Sequence, residues 1–132
     1  MTYLSWHEEH SKKHKKIVDK LSYLSDDELI EYFDFDNMVK KEPDFCLLYA
    51  TNEKCHKIEK LNCYLCACPH FRVGEKSSTC DIKSKHGGSF TSEDGFIHQD
   101  CSGCTIPHKV SYVKKNFSRN WKEIMSKNFA LL

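Results

Sequence analysis

The cysteines of this chain follow the order Cys46-x8-Cys55-x7-Cys63-x2-Cys66-x-Cys68-x11-Cys80-x20-Cys101-x2-Cys104, with His108 four positions beyond the last. Two residues between cysteines allow a tight turn to aim both sulfurs at one ion, a spacing typical of thiolate metal sites. The pairs Cys63/Cys66 and Cys101/Cys104 are two such knuckles, and the spacing predicts that together they close one site of four thiolates. Cys68 and Cys80, with Cys46 and Cys55, then supply a second set of four. Sites of three cysteines and one histidine are an open alternative, because His70 and His108 each lie four positions after a cysteine. In that case Cys46 or Cys55 is an ordinary buried thiol.

A second set of donors lies at the other end of the chain. His7, His10 and His14 recur at i, i+3 and i+7, which places them on one helical face where imidazoles can converge on a cation. The competing expectation, which the residues favour, is a half-buried polar seam. The stripe continues through Ile17, Leu21 and Leu24, so the histidines prolong an apolar face rather than oppose it.

The segments Leu61-Asn-Cys-Tyr-Leu-Cys-Ala-Cys-Pro69 and Asp100-Cys-Ser-Gly-Cys-Thr-Ile-Pro-His108 resemble the two halves of the cysteine-rich small domain, a prokaryotic family associated with metal binding. The resemblance covers residues 60–115. It implies metal binding through Cys63, Cys66, Cys68, Cys80, Cys101 and Cys104, with His108 beside them, and it says nothing of the histidine stripe. Zinc, as one or two ions, is the expected metal, because a closed thiolate site is its commonest structural role. The close triplet Cys63/Cys66/Cys68 followed by Pro69 keeps an iron–sulfur cluster as the alternative.

The elements that must position these donors are short. Ser5-Trp-His-Glu8 predicts a capped helix from residue 6 to about residue 22, and Ser25-Asp-Asp-Glu28 a second, ending before Pro43. From Cys46 to Cys104 helical periodicity is lost, and one hairpin is expected around Ser92-Glu-Asp-Gly95. Thr105 and Pro107 open a helix bearing Val110, Val113 and Phe117, and Ser118 begins a last one with Trp121, Ile124, Met125 and Phe129. The expected fold is thus α+β, a small metal-stapled domain with a loop-rich cysteine centre, one β-hairpin and helices at both ends. Residues 1–42 form an N-terminal helical segment and residues 43–132 the cysteine-rich domain. Trp6, Leu21, Leu29, Phe33, Val110, Phe117 and Trp121 are its expected apolar contacts.

Composition limits the function classes. Hydrophobic residues are 39% and charged residues 30% of the chain, so the core is thin and a metal staple compensates for it. No run approaches the roughly 20 apolar residues of a membrane span, and the first residues lack a signal-peptide pattern, so a cytoplasmic location with reduced thiols is expected. Residues 25–45 hold eight acids against two lysines, an acidic surface suited to a protein partner. Lys12, Lys13, Lys15, Lys16 and Lys20, with Trp6 and Tyr23, raise a nucleic-acid reading. A net charge of +1 weighs against it. No nucleophile–base pair or phosphate loop specifies an enzymatic reaction. The expected function is therefore a structural or regulatory metal-binding module, with an open-site or redox metal protein as the alternative and nucleic-acid binding third.

Overall fold

A computed structural model describes residues 2–131. Five α-helices and two antiparallel hairpins form an α+β arrangement: α1 (Thr2–Lys20), α2 (Asp26–Tyr32), α3 (Phe35–Lys41), β1 (Phe71–Val73), β2 (Ser78–Cys80), β3 (Gly88–Thr91), β4 (Ile97–Asp100), α4 (Val110–Lys115) and α5 (Trp121–Ile124). Single 3-10 turns occupy Leu47–Thr51 and Ile106–His108.

The Ser25 capping box forms as its sequence requires. The Ser25 hydroxyl accepts the Glu28 N–H while the Glu28 carboxylate accepts the Ser25 N–H. The Ser5 box does not set the start of α1, which begins at Thr2. Tyr3 packs on Phe71 and Phe96, and its hydroxyl bonds to His98, so tertiary contact extends the first turn. The N-terminal part contains three helices instead of two, because Asp34 breaks the chain between α2 and α3. At that break Asp34 pairs with Asn62, Phe35 donates its N–H to the Leu61 carbonyl, and Cys63 donates to the Phe33 carbonyl. The last helix is capped by Asn120 and not by Ser118; the Asn120 side chain accepts the Glu123 N–H.

The expected hairpin is β3–β4, with Gly88 opposite Asp100 and Gly95 at φ +85° in its turn. A second hairpin was not expected: β1 and β2 pair Phe71 with Cys80. The two hairpins are tied where the Gln99 N–H reaches the Ser78 hydroxyl and the Ile97 N–H reaches the Lys76 carbonyl.

One apolar cluster joins the N-terminal helices to the cysteine-rich part, with Ile17, Leu21, Leu29 and Phe33 against Tyr64, Leu65, Val113, Trp121 and Met125. Val110 and Phe117 pack partly buried against it. Trp6 does not enter the core; it is 44% exposed and stacks on the His10 ring at 4.6 Å. No described helix is long and apolar enough to cross a membrane.

Candidate metal centre

Both knuckles are closed by backbone hydrogen bonds. The Cys66 N–H donates to the Cys63 carbonyl at 3.4 Å, and the Cys104 N–H to the Cys101 carbonyl at 3.0 Å. Gly103 is required in the second, since a Cβ there would lie 2.8 Å from the His86 carbonyl oxygen. All eight thiols are free, with no disulfide among them.

The thiols that act on one another fall into two sets, although in neither do three sulfurs lie within 4.8 Å of one another. Burial first, then the neighbouring thiols of Cys63, Cys55 and Cys46, raise the Cys66 thiol well above its ordinary range. Cys63, pushed up to about 12 mainly by burial, has Cys55 and Cys46 as its thiol neighbours. Cys68, also raised to about 12 by burial, has Cys101, Cys80 and Cys104 as its thiol neighbours. Cys101, raised to about 11, has Cys80 and Cys104 beside it. The knuckles Cys63/Cys66 and Cys101/Cys104 thus have different thiol neighbours. The first joins Cys46 and Cys55, and the second joins Cys68 and Cys80.

The cause lies in the single residue between Cys66 and Cys68. Ala67 and Cys68 adopt φ of +92° and +61°, in the left-handed region that L-residues avoid. This reversal parts two nearly adjacent cysteines into different groups. It is held by the Trp121 indole N–H on the Cys66 carbonyl at 3.1 Å, and by the Asn128 amide on the Cys68 and Phe71 carbonyls at 3.2 and 2.8 Å. Near the second group, the Ser84 hydroxyl donates to the Cys104 sulfur at 3.3 Å.

Asn62, fully buried beside Cys63, fastens the two cysteine segments. Its amide donates to the Ile30 carbonyl at 2.7 Å and to Asp34 at 2.8 Å, while its side-chain oxygen accepts the Tyr64 N–H at 2.9 Å. Its backbone is paired twice with His108, through the Asn62 N–H to the His108 carbonyl and the His108 Nδ1 to the Asn62 carbonyl, each at 2.9 Å.

That second bond leaves the other ring nitrogen of His108 facing Cys55, with Nε2 3.6 Å from Sγ. His56 approaches the same sulfur with Nδ1 at 3.0 Å, its Nε2 being bonded to the Cys101 carbonyl at 2.7 Å. Among the described residues, Cys55, His56 and His108 are the set of three whose donor atoms all lie within 4.8 Å of one another. Sequence reading missed His56; the Cys55-His56 dipeptide was the available signal.

His70 and the three histidines of α1 stand apart from this set. His70 gives Nδ1 to Asp81 at 2.8 Å and receives the Tyr112 hydroxyl at Nε2, so neither ring nitrogen is left for a cation. His7, His10 and His14 are buried, but their nitrogens do not gather within 4.8 Å. They pack as aromatic rings, His10 against Phe45 and Trp121, His14 against Phe33 and Tyr64, His7 against Trp121 and Phe129.

The two thiol groups border a common cavity of about 530 Å³, lined by Cys55 and Cys66 of the first, by Cys68, Cys80, Cys101 and Cys104 of the second, and by Tyr3, Trp6, Phe71 and Phe129. That volume lies in the range of small-molecule sites. Of the basic face on α1, Lys12 pairs with Glu9, Lys15 with Asp19 and Lys20 with Glu42, and Lys13 donates to the Asp44 carbonyl. The acidic segment is met likewise, Asp26 by Arg119, Asp27 by Lys114 and Asp34 by Lys60. A scan against protein-family models, a search of curated proteins and a search of solved structures each found no match to this chain.

Proposed function

We propose that this chain is a zinc-binding protein in which Cys46, Cys55, Cys63 and Cys66 hold one ion and Cys68, Cys80, Cys101 and Cys104 hold a second. The reading is supported by one pattern: eight free thiols, spread over 59 positions, divide by the thiols that act on each into two sets of four, which an ion would draw closer together than they stand here. Four thiolates suit zinc, and they have no other evident use in a chain with so thin an apolar core. The bound ions supply cross-links between segments, and the protein acts as a metal-stapled module that presents its helices to a protein partner. The lysine face, largely paired internally, gives little support to nucleic-acid binding.

Anaerobic purification followed by metal analysis and native mass spectrometry tests the reading. Zinc bound stoichiometrically through thiolates is expected. A brown protein with matching iron and sulfide would replace zinc by a cluster, and a folded chain that retained no metal would end the proposal.

A further inference from the structure

Cys55 has a surrounding unlike that of the other seven cysteines. Two imidazoles address its sulfur, and each has its other nitrogen fixed by a backbone carbonyl. A carbonyl oxygen only accepts, so the bond from His56 Nε2 to Cys101 places the proton on Nε2 and leaves the neutral ring's lone pair on Nδ1, the atom 3.0 Å from Cys55 Sγ. By the same argument the bond from His108 Nδ1 to Asn62 leaves the lone pair on Nε2, which also faces that sulfur. Metal-binding histidines are held in this manner, with the second nitrogen donating to a carbonyl that fixes the tautomer and the ring plane.

We infer that Cys55, His56 and His108 form an additional site for a divalent cation, with a coordination position left exchangeable and open to the cavity. Three protein donors with a vacant or water-filled fourth position distinguish reactive zinc sites from closed structural ones. All three residues line the cavity, whose lining also includes Trp6, Phe71, Ile106 and Phe129. The ligand that fits is a small molecule with an apolar body and one nitrogen or anionic oxygen donor for the cation. A thiolate sulfur carries enough lone pairs for two cations, so Cys55 serves both this site and the first thiol group. The inference thus extends the metal-binding reading, and its test separates the two.

Zinc and Co²⁺ stoichiometry are measured by native mass spectrometry on the full chain and on His56→Ala, a partly buried position outside both thiol groups. His56→Ala is expected to bind one equivalent fewer than the parent. It should also lose the Co²⁺ absorption of a mixed nitrogen–sulfur site while keeping the intense thiolate bands. Titration of the Co²⁺ protein with 4-phenylimidazole should shift the mixed-site absorption alone, and at least tenfold more tightly than imidazole does, because the cavity receives the phenyl ring. Equal metal content in parent and His56→Ala would overturn the site and leave the two-group reading standing. A mixed-site spectrum insensitive to both imidazoles would overturn the exchangeable position. A parent chain that binds no metal defeats the underlying reading instead.

Discussion

Acid should destabilise this protein through histidines buried in its core. His14 is fully buried, and His10 nearly so, at 4% exposure. The His14 Nε2 bonds to the Tyr64 carbonyl at 3.1 Å, while its Nδ1 and the Nε2 of His10 have no partner. Burial lowers both groups to about 3, with the neighbouring His14, Lys13 and His7 lowering His10 further. In the unfolded chain each returns to about 6.5. Below that value the unfolded state binds protons that the folded state refuses, so stability falls as pH falls and is fully present only above about 6.5. At about 1.4 kcal/mol per pH unit, each of the two costs about 2 kcal/mol at pH 5, a large share of the 5–15 kcal/mol typical of a domain. The loss continues toward pH 3. Metal release also increases in acid, so the assay compares denaturant unfolding of zinc-saturated parent and His10→Phe from pH 7.5 to 5. The variant keeps every proposed ligand and replaces one packed ring by another. It should retain the metal-dependent part of the decline and lose about 2 kcal/mol of the total. Ring proton resonances of His14 should stay at their neutral positions until the chain unfolds. A native-state titration of His14 near pH 6, or an identical decline in His10→Phe, would refute the reasoning.

Four further outcomes follow from named contacts. Ala67→Gly should stabilise the protein by about 1 kcal/mol in thermal or denaturant unfolding, because glycine tolerates φ +92° without the Cβ penalty. Asn62→Ala should cost about 4 kcal/mol, since three buried hydrogen-bonding groups lose their partner together. Gly103→Ala should loosen the second knuckle, because its Cβ would press on the His86 carbonyl; lowered affinity for the ion of that thiol group alone, read by competitive chelation, checks this. Cys46→Ser and Cys80→Ser should each weaken a different ion. If both instead weakened the same ion, the division of thiols between the two groups would be wrong.

What could be read from the sequence was what local rules decide. Ser25 and Glu28 form their box because both partners lie within one turn, and Gly95 marks the β3–β4 turn because the chain reverses there at positive φ. Strands β1 and β2, at three residues each, are too short to establish an alternating pattern, so only pairing in three dimensions reveals them. The helix α3 begins where Asp34 meets Asn62, a contact between distant segments. At the site, the two-residue spacing marked the knuckles but could not say which thiols face one another. The proposed division turns on the φ of Ala67, and nothing in an alanine announces a left-handed backbone. The adjacency of Cys55 and His56 was visible, but the convergence of His108 on the same sulfur required the Asn62 backbone as intermediary.

The reversal at Ala67 has a consequence for how the proposed ions arrive. Cys66 and Cys68 have different thiol neighbours yet share a single peptide segment, whose left-handed backbone is costly to order. An ion captured by either group sets Ala67 in the geometry that the other group needs, so the entropy of ordering that segment is spent once for both. Loading should therefore be cooperative: during titration the half-metallated chain is scarce, and apo and fully metallated molecules coexist.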